Sequence, residues 1–238
     1  MEAGVNPTKT IARRAGVLYF VFMILGIYGE FLFPKFMVPG DAAATASKIA
    51  AADLTYRIGI LIGFGTHVVF IFLVVSLYRL LQNVDQSHAM LMVVLVAIGV
   101  AVALGNMLSR FAPLVLLDGA DYMAAFTKPQ VDALALSSLR FRSSGAAIPM
   151  AFWGLWLFPF GVLVVRSHFL PRILGVLLIV AGFAYLVTSA VSIALPDYRR
   201  VVSQYMMPLY FGEVPIIFWL LIKGATEPQL EPRVPAVS

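Results

Sequence analysis

Six polar side chains interrupt the long apolar stretches of this sequence, and their chemistry calls for an explanation. They are Glu30, Arg57, Asn106, Arg110, Arg142 and Glu213. A guanidinium group binds carboxylates and phosphates through charge-assisted hydrogen bonds, and a side-chain amide can orient such a ligand. A carboxylate in apolar surroundings sets the local polarity or carries a proton. These residue types favour a site for a small polar or anionic amphiphilic ligand, with the arginines as its positive charge.

The composition places these residues in a membrane. Hydrophobic residues make up 61% of the 238 positions and charged residues only 12%, against about 45–50% and about 25% in soluble domains. The formal net charge is +5, but the basic residues are spread over helix ends and form no patch, so we expect no nucleic-acid partner. The sequence has no cysteine, which excludes disulfides and cysteine-ligated metals.

Long apolar segments predict an all-α, polytopic membrane protein. At 1.5 Å of rise per residue, a helix of about 20 residues crosses a hydrocarbon core of about 30 Å. A single membrane domain over residues 15–223 is expected to form a six-transmembrane-helix bundle. The predicted spans are 15–33, 55–81, 89–117, 143–165, 172–195 and 208–222. The stretch Leu139–Gly175, with arginines at both ends of the fourth span, is expected to organise the bundle.

The links between spans carry predicted short interfacial helices. Asp41 is placed to cap a helix over Ala42–Leu54, Thr127 and Gln130 form a capping-box pattern, and Asp197–Met206 alternates charged and apolar residues. Residues 1–14 are predicted to be a cytoplasmic segment, and residues 224–238 a disordered cytoplasmic tail.

The distribution of charge indicates the orientation of the bundle. The short links that hold Arg79, Arg166 and Arg172 are basic, whereas most acidic residues lie in the other links. The positive-inside rule therefore predicts that both termini are cytoplasmic in a multi-pass protein of the cell membrane.

In that orientation, the six polar side chains all belong to the outer half of the bundle. A charged side chain at the centre of a lipid-facing helix costs about 2.5–3.5 kcal/mol, so we expect these residues to face one another. Arg140 and Arg142 lie about 200° apart on a helix, and Arg142 is the one expected to point inward. The prediction is an outer-half pocket in which Glu30 and Glu213 partly neutralise the arginines. The alternative is that the arginines snorkel to headgroups or form structural ion pairs.

Two further residues, His67 and Trp153, are secondary candidates for the site. His67 lies near the middle of the second span, where a packed, hydrogen-bonded role is favoured over metal ligation. Metal and haem sites usually need more than one such ligand. We therefore expect no metal and no cofactor, and no recognised motif assigns a catalytic residue.

Four sequence stretches resemble a family of bacterial integral-membrane proteins, the domain-of-unknown-function family 4386. They are the arginine pair before the first span, Val38–Thr45 (VPGDAAAT), Leu54–Gly59 (LTYRIG) and Leu170–Gly175 (LPRILG). The resemblance covers nearly the whole chain. It implies a six-span bundle in a bacterial cytoplasmic (inner) membrane, and in many members an acidic residue where this chain has Gly63. It implies no established reaction.

Three hypotheses about function remain open on the sequence alone. The first is a non-enzymatic protein that binds or passes a small polar or anionic amphiphilic ligand. The second is an accessory or structural subunit of a larger membrane complex, with membrane-protein partners. The third is a membrane enzyme that acts on a lipid or quinone-like substrate and uses Glu30 and Glu213 for acid–base chemistry.

Overall fold

Helices form nearly all of the described structure. The computed structural model describes residues 7–32 and 36–225, and these two ranges contain no β-strand. The α-helices are α1 (Pro7–Leu32), α2 (Ala42–Ala51), α3 (Asp53–Leu81), α4 (Gln86–Met107), α5 (Ala112–Leu116), α6 (Lys128–Gly145), α7 (Ala147–Leu155), α8 (Leu157–Arg166), α9 (Arg172–Ala194), α10 (Arg199–Tyr210) and α11 (Val214–Phe218). Four 3₁₀ segments (Leu108–Arg110, Asp121–Ala125, Pro196–Tyr198, Phe211–Glu213) and a π-helix (Trp219–Lys223) connect or extend them.

The prediction of an all-α polytopic bundle is confirmed. Six helical segments of the described chain are long and apolar enough to cross a membrane. They are Thr8–Gly29, Asp53–Leu81, Gln86–Leu116, Lys128–Arg166, Arg172–Ala194 and Pro196–Lys223. Many large apolar side chains on them are exposed, as expected of surfaces that face lipid.

The structure also locates the predicted flanking elements. The Asp41 carboxylate accepts a hydrogen bond from the Ala44 N–H at 2.8 Å and caps α2. Thr127 and Gln130 form the predicted capping box of α6. Helix α1 begins at Pro7, ahead of the predicted start of the first span. Residues 1–6 and most of the predicted tail, residues 226–238, lie outside the described chain.

Prolines divide the fourth span into α6, α7 and α8. Proline has no N–H, and its ring clashes with the carbonyl four residues earlier. Pro149 and Pro159 each stand four residues after the last residue of the preceding helix, Gly145 for α6 and Leu155 for α7. The two breaks therefore follow from the positions of the prolines.

Paired glycines bring the fourth and fifth spans into close contact. A Cβ atom on Gly154 would lie 2.7 Å from the Gly182 carbonyl oxygen, and one on Gly161 would lie 2.7 Å from the Gly175 carbonyl oxygen. The seven-residue spacing is the same on both helices, as an antiparallel hairpin requires. Backbones can approach this closely only where side chains are absent.

The fourth span is the centre of the bundle. Half of its most apolar 18-residue window is buried inside the protein, compared with 17% for the sixth span. Its Trp156, Leu157, Phe160 and Leu163 are each no more than 2% exposed. The sixth span is thus the most peripheral of the six, and the fourth positions side chains for its neighbours.

Candidate functional site

Arg110 is the charged group at the centre of the candidate site. It closes the 3₁₀ segment that extends α4, three residues before Pro113. Only 5% of Arg110 is exposed, although arginine is rarely buried to this degree. A buried guanidinium inside a membrane bundle is costly unless polar groups surround it.

Helix α3 supplies one wall of the site through Tyr56, Gly63 and His67. The Tyr56 hydroxyl donates a buried hydrogen bond of 2.8 Å to the Arg110 carbonyl oxygen. A Cβ atom on Gly63 would lie 3.2 Å from Nη1 of Arg110 and 3.3 Å from Sδ of Met107. The missing side chain of Gly63 therefore makes room for the guanidinium.

Helices α4 and α6 supply the opposite wall. The Asn106 side-chain amide donates a hydrogen bond of 3.1 Å to the Arg142 carbonyl oxygen. A Cβ atom on Gly145 would lie 2.6 Å from Oδ1 of Asn106, so this glycine leaves space for the amide. Arg142 is half-buried, while Arg140 is exposed, in keeping with the inward orientation expected of Arg142.

Arg110 and Arg142 act electrostatically on the same two neighbouring side chains. Arg110 and Arg142 each interact electrostatically with Tyr56 and with His67. His67 is anchored through Nδ1, which lies 2.7 Å from the Gly63 carbonyl oxygen, and its ring centroid lies 6.3 Å from that of Trp153. We call Tyr56, His67, Asn106, Arg110 and Arg142 the arginine site.

Arg57 does not join the arginine site, contrary to the sequence-based expectation. Its side chain is 53% exposed, and its Nε lies 2.7 Å from Oδ2 of Asp53, one turn earlier on α3. At 100° per residue, Arg57 is rotated about 120° from Gly63 around the helix, whereas Tyr56 is rotated only about 20°. The inward position on this turn therefore belongs to Tyr56.

Glu213 forms no ion pair with an arginine within the described residues, contrary to the sequence-based expectation of such a contact. Its Oε2 accepts a hydrogen bond of 2.5 Å from the Tyr19 hydroxyl, and Tyr185 is a second phenol that interacts with the same carboxylate. We call Tyr19, Tyr185 and Glu213 the carboxylate site. Glu30 lies near the end of α1, and its side chain is outside the described part of the chain.

A third polar cluster lies at the opposite end of the bundle from the arginine site. Asp85 caps α4, and its Oδ2 lies 2.8 Å from Nη1 of Arg166 and 2.8 Å from Nδ1 of His88. The hydrogen bond from the His88 backbone N–H, followed by contacts with the His88 and Arg166 side chains, lowers the pKa of Asp85 below its ordinary value. This cluster joins the second link to the end of the fourth span.

The sequence reasoning missed three tyrosines. Tyr56 lies two turns before Gly63 on the face of α3 that also carries His67, so the helical spacing of these residues could have identified it. Tyr19 and Tyr185 lie in apolar surroundings on α1 and α9, and only the packing of distant segments brings them to Glu213. No local pattern identifies those two residues.

The fold and its buried polar clusters define a polytopic α-helical membrane protein, and comparisons with known proteins give its family. The chain belongs to the family described as Domain of unknown function (DUF4386), whose model matches residues 14–224. It is similar to an uncharacterized protein of Archaeoglobus fulgidus, with 36% identity over 73 residues. That match covers 31% of this chain and 42% of the archaeal protein. No solved structure matches the chain.

Proposed function

We propose that this protein binds a small anionic amphiphile, or passes it through the membrane, at the arginine site. The acidic head of the ligand, a carboxylate or a phosphate, would contact Arg110 and Arg142, and its apolar part would lie among the spans. Asn106 would orient the head group. We place the protein in a bacterial cytoplasmic membrane with both termini in the cytoplasm.

The observation that carries the proposal is the environment of the Arg110 guanidinium. It is buried against the backbone of Gly63, at the junction of the second, third and fourth spans. A second arginine, an amide and an imidazole converge on the same region. A cluster of cationic and polar donors within a bundle matches the pattern of sites that recognise carboxylates and phosphates.

The common location of the two ends of the described chain supports the proposed orientation. The Arg13 guanidinium donates a hydrogen bond of 3.3 Å to the Ile222 carbonyl oxygen, and Gly224 lies against Lys9. Lys9, Arg13 and Lys223 therefore occupy one end of the bundle. Under the positive-inside rule, this basic end faces the cytoplasm.

Native mass spectrometry of the protein, purified gently from its own host membrane, tests the binding proposal. We expect a reproducible small-molecule adduct on the wild type that Arg110→Ala loses. Arg57→Ala is the matched control, because it removes an arginine that pairs with Asp53 outside the site, and it should keep the adduct.

Two results would contradict the proposal. An adduct that persists in folded Arg110→Ala would show that the arginine site does not hold it. Co-purifying protein chains in the absence of any adduct would instead favour the role of an accessory subunit. A thermal unfolding measurement on each variant separates loss of the ligand from loss of the fold.

A further inference from the structure

The carboxylate site lies about halfway through the bundle along the helix axes and has no role in the function proposed above. Glu213 precedes Lys223 by ten residues, about 15 Å along the helix, and Tyr19 follows Thr8 by eleven residues, about 16 Å along α1. Because Lys9 and Lys223 mark the same end of the bundle, Glu213 and Tyr19 lie at matching depth. This depth is roughly half of a hydrocarbon core of about 30 Å.

Glycines bring the three elements of the carboxylate site together. A Cβ atom on Gly16 would clash with the Leu221 backbone nitrogen, so α1 touches the backbone of the sixth span one turn before Tyr19. A Cβ atom on Gly212 would lie 2.6 Å from the Leu177 carbonyl oxygen. The turn that carries Glu213 is therefore pressed against α9, the helix that carries Tyr185.

The groups around Glu213 are donors without formal charge. The titratable groups that face it are Tyr19 from α1, which is 1% exposed, and Tyr185 from α9. Within residues 7–32 and 36–225, no lysine, arginine or histidine forms an ion pair with Glu213. A carboxylate at this depth is stabilised by hydrogen bonds from the phenols or by taking up a proton.

A row of hydroxyl-bearing side chains runs from this site towards the N-terminal end of α10; its first link is a ring stack, and its later links are hydrogen bonds. The ring of Tyr185 stacks on that of Tyr210 with a centroid separation of 4.6 Å. The Tyr210 hydroxyl lies 2.5 Å from Oγ1 of Thr188 and also hydrogen-bonds Ser203. Ser203 lines a surface depression of about 360 Å³ together with Asp197, Arg199 and Gln204. The hydroxyl row thus begins at an open, polar surface.

We propose that Glu213 is a reversible proton-binding site inside the membrane, reached from that surface along the hydroxyl groups. In the step, a hydronium ion of the aqueous phase loses a proton and becomes water, so one of its O–H bonds breaks. A new O–H bond forms on a carboxylate oxygen of Glu213, the charge of the residue changes from −1 to 0, and no electron is transferred. The Tyr19 and Tyr185 hydroxyls donate hydrogen bonds to the charged carboxylate. When the carboxyl group is neutral, a phenol oxygen can accept a hydrogen bond from its O–H, or the phenols can continue to donate to it.

Infrared difference spectroscopy of the full-length protein in lipid vesicles, recorded as the pH is lowered, tests this proposal. Between about pH 8 and about pH 6, where carboxyl groups with ordinary pKa values stay ionised, we expect a C=O stretching band of a protonated carboxylic acid to appear in the wild type and to be absent from Glu213→Gln. Glu30→Gln is the matched control, since it makes the same change to the other glutamate of the spans, and it should retain the band.

The phenols provide a second measurement that does not depend on Glu213→Gln folding. Tyr19→Phe removes a hydrogen bond to the carboxyl group, so the band should move to higher frequency. Tyr28→Phe, which changes an exposed tyrosine of the same helix, should leave the band in place. A wild type without the band, a band that survives Glu213→Gln, or a band lost in Glu30→Gln would each overturn the proposal. These spectra need no anionic ligand, so their outcome is independent of the outcome for the arginine site.

Discussion

The arginine site and the carboxylate site share one local feature, a 3₁₀ segment before a proline, but their charged side chains contact the neighbouring spans in different ways. Arg110 and Glu213 each lie in a 3₁₀ segment shortly before a proline, Pro113 in one case and Pro215 in the other. The proline disturbs the regular helical hydrogen bonding, because it lacks an N–H. Both charged residues therefore lie at irregular turns inside spans.

The two sites differ in how far the charged side chain can reach. The guanidinium of Arg110 extends to α3, and it needs space, which the missing side chain of Gly63 provides. The short carboxylate of Glu213 cannot reach another span, so close backbone contacts at Gly16 and Gly212 bring phenols to it. A long cation is accommodated by a gap, whereas a short anion depends on close helix packing.

The largest expected effect is on the scaffold that both sites share. The hairpin of the fourth and fifth spans carries Arg142 for one site and Tyr185 for the other. Gly161→Leu should lower the free energy of unfolding by about 3 kcal/mol, because its side chain would meet the Gly175 carbonyl oxygen. Denaturation in mild detergent measures this, and Gly65→Leu, whose added Cβ meets no atom within 4 Å, is the control. Equal stability of the two variants would contradict the role of the close hairpin contact.

The second prediction alters only the arginine site. Gly63→Glu would place a carboxylate next to the Arg110 guanidinium and compete with an anionic ligand. We expect binding of the adduct ligand to weaken about a hundredfold, which corresponds to about 2.8 kcal/mol. Gly63→Gln has nearly the same size without the charge; because it also fills the space beside the guanidinium, it should lose affinity too, but clearly less than Gly63→Glu, as measured by titration in native mass spectrometry. Equal losses in both variants would mean that crowding rather than charge is responsible. The infrared band of the carboxylate site should not change in either variant.

A third prediction compares the phenols of the two sites directly. Tyr19→Phe removes a hydrogen bond to a carboxyl group and should cost about 2 kcal/mol of stability, since bonds to charged groups contribute about 1.5–3 kcal/mol. Tyr56→Phe removes a bond to a neutral carbonyl oxygen and should cost about 1 kcal/mol. Equilibrium unfolding of both variants in one detergent checks the order, and the reverse order would show that the carboxylate site contributes less to the fold than its geometry indicates.

The smallest expected effect concerns the Asp85 cluster, at the opposite end of the bundle from the arginine site. Contacts with His88 and Arg166 lower the pKa of Asp85, so its carboxylate stabilises the fold at pH values above its ordinary pKa of 3.8. The stabilisation is lost as the pH falls through the lowered value. Wild type should therefore be slightly more stable than Asp85→Asn at neutral pH, and the difference should disappear in acid. Thermal unfolding as a function of pH measures it, and a difference that persists at the lowest pH would point to another cause.

The sequence predicted the fold better than it predicted the membership of the sites. The six spans and the all-α class follow from segment length and hydropathy, and both are confirmed. The structure brings Asn106, Arg110 and Arg142 together. Asn106 and Arg110 share a face of the third span, and the helical rotation between Arg140 and Arg142 indicated which of these two arginines points inward. Arg57 was misplaced because neighbouring helical residues differ by 100°, so one position decides whether a side chain faces the bundle or its surroundings.

The amino-acid sequence by itself determined the spans, the helix breaks and the caps. These depend on neighbouring residues: apolar length sets a span, Pro149 and Pro159 end the helices before them, and Asp41 caps the helix that follows it. Only the tertiary structure decided which polar groups meet. The Tyr19–Glu213 hydrogen bond joins residues 194 positions apart, and the Arg110 guanidinium occupies a gap at Gly63 on another span. Such contacts depend on how the helices are rotated and packed, which no local pattern in the chain specifies.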